Sequence, residues 1–310
     1  MKITLPEKLK DDLPLTLWGK ILSATPVVMT VVATMLAGLA SSEMTRAQYD
    51  RSLAAQLQSK AGDQWNFFQG KKLRGALQHS TLDLMVTSAE VHPLASTTLL
   101  KALANTPAAT ALESADGQQA LSILTKANLP KAGPTPTIEA NVQTALAALD
   151  ASRPETELVA LLAHVEDKTL EDTLRGARAH ALAFDAVMKP ISQVIDLTEQ
   201  HLATSADGAT IRRDYVAARL IYTALRYEAE ARLNQTIANL YELQVRKGNL
   251  SAERHHRRSQ KFFYGMLAAQ MGVIISTLAM AARQRNLLWA LAAGAGAAAV
   301  SFAVYVYLFV

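Results

Sequence analysis

The most distinctive run of polar and aromatic side chains in the first third of this 310-residue chain is Asp63-Gln64-Trp65-Asn66-Phe67-Phe68-Gln69-Gly70-Lys71-Lys72. Asp63, Gln64, Gln69 and Lys71 could form a polar site, with Trp65 and Phe68 as aromatic anchors for a partner. A packing role competes with this and is the preferred expectation. Leu53, Leu57, Ala61, Trp65 and Phe68 recur three or four apart, which is the stripe of an amphipathic helix. On that reading Trp65 and Phe68 are a seam, and the flanking polar residues only fix register.

His255 and His256 could bind a metal ion, but neighbours on a helix point about 100° apart. No third ligand stands at helical spacing. With Arg254, Arg257, Arg258 and Lys261 they read as a solvated basic face for anionic lipid headgroups. His180 and His201 stand alone and are expected to be exposed or structural. Gly70-Lys71-Lys72 lacks the upstream Gly and the Ser/Thr of a phosphate-cradling loop. Neither H-E-x-x-H nor G-x-S-x-G occurs, so no catalytic, cofactor or metal site is expected, and the protein does not read as an enzyme.

The elements that must position these residues are dominated by the C-terminus. Two uncharged runs, 262–282 and 287–310, are separated only by Arg283-Gln284-Arg285-Asn286. Each is long enough to cross the ~30 Å hydrocarbon core as a helix. A third uncharged run, 21–40, follows an N-terminal segment, 1–20, that carries acids as well as lysines. A cleaved signal peptide competes there, with Gly38-Leu39-Ala40 as its cleavage site. The acidic leader and the span-length run favour an uncleaved helix instead. Pro26 is expected to kink it. Gly265, Ala269, Gly272, Gly294 and Gly296 place small residues at spacings that let membrane helices approach closely. Gln270 is the only strongly polar residue in its run and could hydrogen-bond across helices. No span carries an acid or a base, which disfavours a proton relay or ion-coupled transport.

Between the spans, 41–89 reads as a helical stalk. Prolines divide 90–165 into short helices at 94–105, 117–128, 138–150 and 155–165, with 129–137 as an extended linker. From 166 to 249 a coiled-coil hairpin is expected. Leu170, Leu174, Ala177, Ala181, Phe184, Met188, Ile191, Ile195, Thr198 and Leu202 alternate by four and three, and Ser205-Ala206-Asp207-Gly208 marks the turn. Gly248-Asn249 is expected to interrupt the second helix, with Ser251 capping a basic juxtamembrane helix over 250–261.

Half of the residues are hydrophobic but only 6% aromatic, a balance that suits helices in bundles. The net charge of +4 is spread along the chain except near the membrane, so lipid rather than nucleic acid is the expected partner. The chain has no cysteine, and so no disulfide framework.

The D-Q-W-x-[YF]-[YF]-Q-x-K pattern at Asp63, Gln64, Trp65, Phe67, Phe68, Gln69 and Lys71 resembles a bacterial membrane-protein family, domain of unknown function four-three-three-seven. The resemblance extends to His255, His256 and the Arg283/Arg285 turn, and covers 21–80 and about 209–310. The Pro-rich region 90–165 looks like an insertion without counterpart. What the resemblance implies is architecture: a membrane helix, a coiled coil and a C-terminal membrane hairpin, with no known activity.

The expectation is thus an all-α membrane protein of three spans, 21–40 and the hairpin over 262–310, carrying a coiled-coil hairpin and a small helical insert outside the bilayer. It would be a homo-oligomeric scaffold of the bacterial inner membrane, with the helical region periplasmic and an envelope protein as a possible partner. An oligomeric conduit or a signal-transmitting sensor is the alternative.

Overall fold

A computed structural model describes residues 17–131, 133, 136–204, 209–281 and 285–309. Among them every regular element is helical: α1 (Leu17–Ser88), α2 (Ser96–Ala102), α3 (Pro107–Glu113), α4 (Ala115–Lys126), α5 (Ala140–Asp150), α6 (Glu155–Leu162), α7 (Asp167–Thr204), α8 (Ala209–Ala281) and α9 (Arg285–Phe309). The chain divides into two compact units. One is Ala55–Lys247, and the other combines the described residues up to Ala54 with those from Gly248 onward. Both α1 and α8 contribute to each. The turns expected at Ser205–Gly208 and at Arg283-Gln284 lie outside the described residues, as does most of the N-terminal segment.

In the unit Ala55–Lys247, the alternating series on α7 forms one buried edge: Leu170, Leu174, Ala177, Phe184, Met188, Ile191, Ile195, Thr198 and Leu202. It faces α8 running the other way. The Tyr215 hydroxyl donates to the Ile195 carbonyl at 2.7 Å, while Lys247, the last residue of this unit, pairs with Asp167, the first of α7, at 2.8 Å. Pro190 sits inside α7 without ending it. The short helices settle on these two long ones because none is long enough to stand alone. Leu99, Leu103, Leu112 and Ile123 from α2–α4 share a core with Met188, Ile191, Ile195 and Tyr215. Near the other end of the stretch, Asn239 donates to Asp150 of α5 at 2.7 Å, and Arg246 pairs with Glu155 of α6. The region 90–165 is therefore two small helical groups seated on α7 and α8.

Two boundaries differ from expectation. The segment between 105 and 117, expected to break, forms α3. Pro107 is its first residue, where the missing N–H costs nothing, and Thr106 caps it by accepting from the Ala109 amide. Ser114 closes α3 and caps α4, accepting from the Gly117 amide at 3.0 Å. At 248–249 the expected interruption is absent, and α8 runs through unbroken. Gly248 serves close approach instead: a Cβ there would lie 3.4 Å from the Ala54 Cβ of α1. Ser251 is accordingly inside a helix and caps nothing.

In the second unit α1, α8 and α9 pack through small side chains. Ala33, Leu36, Ala269 and Ala299 make its core. A Cβ at Gly265 would lie 3.2 Å from Leu36 Cδ1 and 3.3 Å from the Ala299 carbonyl. One at Gly272 would run into the end of Met29, and one at Gly296 would press on the same side chain. Gly294 instead faces open space. Pro26 is accommodated inside α1. The outward faces carry Val27, Val31, Met35, Leu267, Met271, Ile274, Leu291, Val300 and Val304, all exposed.

Candidate functional site: charged pairs between α1 and α8

The D-Q-W segment lies on α1 within the unit Ala55–Lys247, and the helix splits it by face. Trp65 and Phe68, three apart, turn inward and meet edge to face, with centroids 5.4 Å apart. The Trp65 indole donates to Glu242 of α8 at 2.6 Å. Two helical turns onward Lys71 also points to α8. Its ammonium sits 5.2 Å from the centre of the Tyr227 ring and pairs with Glu230. Asp63, Phe67 and Gln69 face outward, and Gln64 is half-buried. The segment is thus a packing seam on one face. On the other, Phe67 is 56% exposed.

Glu230 is the centre of the inner arrangement. Its side chain is only 5% exposed, with Lys71 on one oxygen and Arg226 on the other at 2.7 Å. Arg226 also donates to the Ser192 hydroxyl of α7 at 2.8 Å, and Ser192 shares a hydrogen bond with Tyr222 at 2.6 Å. Three helices are therefore tied at one carboxylate. Burial works against the charge on Arg226, but the adjacent Glu230 carboxylate outweighs it and holds the guanidinium protonated above its usual range. A carboxylate clamped by two cations is a poor general base and a poor ligand. Its chemistry is to fix α1, α7 and α8 in one register.

In the other unit a second pair links the same helices. His255 Nδ1 lies 2.5 Å from Glu43 of α1, with the two side chains 19% and 13% exposed. One turn along, the buried Ser259 hydroxyl donates to the Ala40 carbonyl at 2.8 Å. His255 is therefore not on a solvated face. Arg254 and Arg257 are exposed, the latter bonded to Glu253 at 3.0 Å. His256, Arg258 and Lys261 are half-buried, and Lys261 lies over the Tyr305 ring at 5.7 Å. Among the described residues no three His, Asp or Glu side chains converge as a metal site.

Sequence reasoning found Trp65 and Lys71 but missed Glu230, Arg226, Glu242 and Glu43. A signal existed for one pair, since Arg226 and Glu230 are four apart on α8, but Glu228 and Arg232 beside them have the same spacing and nothing in the sequence singles out the buried pair.

Fold and site together define an all-helical protein with three helices long and apolar enough to cross a membrane. Residues 18–129 match the family described as Domain of unknown function (DUF4337). The matched range takes in α2–α4, so 90–129 is family material and not an insertion without counterpart; it stops short of 209–310. No curated protein and no solved structure matches the chain.

Proposed function

We propose that the protein is a three-span, homo-oligomeric scaffold of a bacterial inner membrane. In this reading α1, the end of α8 and α9 cross the bilayer, and residues 55–247 stand in the aqueous phase on the periplasmic side. The observation that carries the reading is the arrangement of the apolar helices. Their inner faces are closed by Gly and Ala, while Val31, Met35, Leu267, Ile274, Val300 and Val304 point outward. A soluble unit would leave those side chains in water, whereas hydrocarbon is their natural surrounding. Exposed Arg254 and Arg257 suit anionic headgroups at the edge of such a span.

The scaffolding role draws on the outer face of α1, where Phe67, Leu73, Leu77 and Leu84 remain exposed opposite the seam that meets α8. Leu73, Leu77 and Leu84 with Gly70 and Ser80 repeat by three and four, the spacing that receives another helix. The test of the membrane reading is carbonate extraction of membranes containing the full chain, followed by flotation on a density gradient. Retention with the lipid is the expected result. Release into the soluble fraction would overturn it.

A further inference from the structure

Gln270 is the one strongly polar side chain in the run 262–282, and it is exposed on α8. Among the described residues its carboxamide has no hydrogen-bond partner. It lies on a face formed by Phe263, Leu267, Gln270, Ile274, Thr277 and Ala281, separated by four, three, four, three and four, and every one is exposed. Thr277 is already satisfied, donating to the Val273 carbonyl at 2.7 Å. The opposite face of α8, with Gly265, Ala269, Gly272, Ser276 and Ala279, is filled by α1 and α9 of the same chain. The neighbouring stripe of Tyr264, Met271 and Leu278 is exposed too but carries no amide, so Gln270 distinguishes its own seam among the faces of this helix that the chain leaves unfilled.

Resting on the membrane reading above, the surroundings of Gln270 are hydrocarbon, where an unpaired amide is costly. Copies of one chain insert in the same direction. A two-fold axis along the membrane normal then sets their α8 helices parallel, and residues at the seam centre meet their own counterparts. A carboxamide carries both a carbonyl acceptor and N–H donors, so it is electrostatically complementary to itself. An apolar partner or a lipid tail offers it nothing. We propose that α8 pairs with α8 of a second copy along this seam, and that reciprocal Gln270–Gln270 hydrogen bonds set the register. The site is incomplete in one chain and complete in two.

The cysteine-free sequence makes the test direct. Single cysteines at Phe263, Leu267 and Ile274 keep Gln270 in place. Tyr264 and Met280, exposed on the flanks of the seam, serve as controls. With the full chain in phospholipid vesicles, copper-phenanthroline oxidation should give disulfide dimers at the three seam positions and not at the flanks. Gln270→Leu should weaken dimerisation in detergent about tenfold, and Gln270→Asn should restore most of it. Cross-linking that is uniform or strongest at the flanks, or a Gln270→Leu protein that dimerises like wild type, overturns the pairing. Wild-type chain stripped from vesicles by carbonate would sink the membrane reading and the pairing together. Chain that stays in the lipid without seam cross-links sinks the pairing alone.

Discussion

Glu230 shows how much a single buried side chain can hold. Replacing it with Gln keeps the shape but removes the charge that Lys71 and Arg226 share. Both cations are partly exposed and regain some hydration, so the expected loss is about 2 kcal/mol, below the larger cost of a fully buried orphan charge. Thermal unfolding followed by circular dichroism should show it. Adding Lys71→Met to that variant should cost less than Lys71→Met alone, because the pair is already broken. Additive losses would mean Lys71 and Glu230 are not coupled. Tyr215 gives a pH signature. Burial pushes its phenol above the ordinary range, and its hydroxyl is held by Ile195. The folded state therefore keeps the proton that the unfolded chain releases from about pH 10. The contribution is complete below that pH and is lost as pH rises through and beyond it. Wild type should lose stability more steeply above pH 10 than Tyr215→Phe, and identical slopes would refute the assignment. Neither residue was legible as a site, because a polar side chain's importance here depends on which helix faces it across the bundle.

The elements tell a different story, in which periodicity was informative and punctuation was not. The alternating series on α7 predicted its buried edge nearly residue for residue, since a repeat of threes and fours leaves little freedom about which face is covered. Pro107 and Gly248 misled for the same reason: each breaks a helix in one setting and serves it in another. At the first position of α3 a proline starts a helix, and against Ala54 a glycine lets two helices meet. This makes opposite predictions for two glycines. A Cβ at Gly117 would lie 2.1 Å from the Ala111 carbonyl and 2.5 Å from Leu112 Cα, both backbone atoms that cannot step aside. Gly117→Ala should cost about 3 kcal/mol or prevent α3 and α4 from docking. At Gly248 the contact is 3.4 Å, and a helix-interior alanine gains propensity, so Gly248→Ala should change stability by less than about 1 kcal/mol. Gly248→Leu should be clearly destabilising. Melting curves of the three variants check the ranking, and a damaging Gly248→Ala would argue against an unbroken α8.

For the whole molecule, the sequence was most legible where physics leaves fewest alternatives. A run of some twenty uncharged residues has little else to be than a buried or membrane helix, and three such helices are present. What it left open is which side of the bilayer each end occupies, because basic residues lie on both. Arg283 and Arg285, at the junction of α8 and α9, favour a cytoplasmic turn, while Arg254, Arg257 and Arg258 favour the reverse. Short loops obey the charge rule better than the flanks of long translocated regions, so the arginine turn should decide. The natural absence of cysteine allows a clean measurement with Ser205→Cys and, separately, Gln284→Cys. Cells whose outer membrane alone has been permeabilised are treated with a membrane-impermeant maleimide. The expected outcome is labelling at 205 and protection at 284, with labelling at 284 appearing once the inner membrane is opened. Labelling at 284 with protection at 205 would place residues 55–247 in the cytoplasm, and partners of the exposed Phe67, Leu73, Leu77 and Leu84 face would then be soluble cytosolic proteins rather than envelope components.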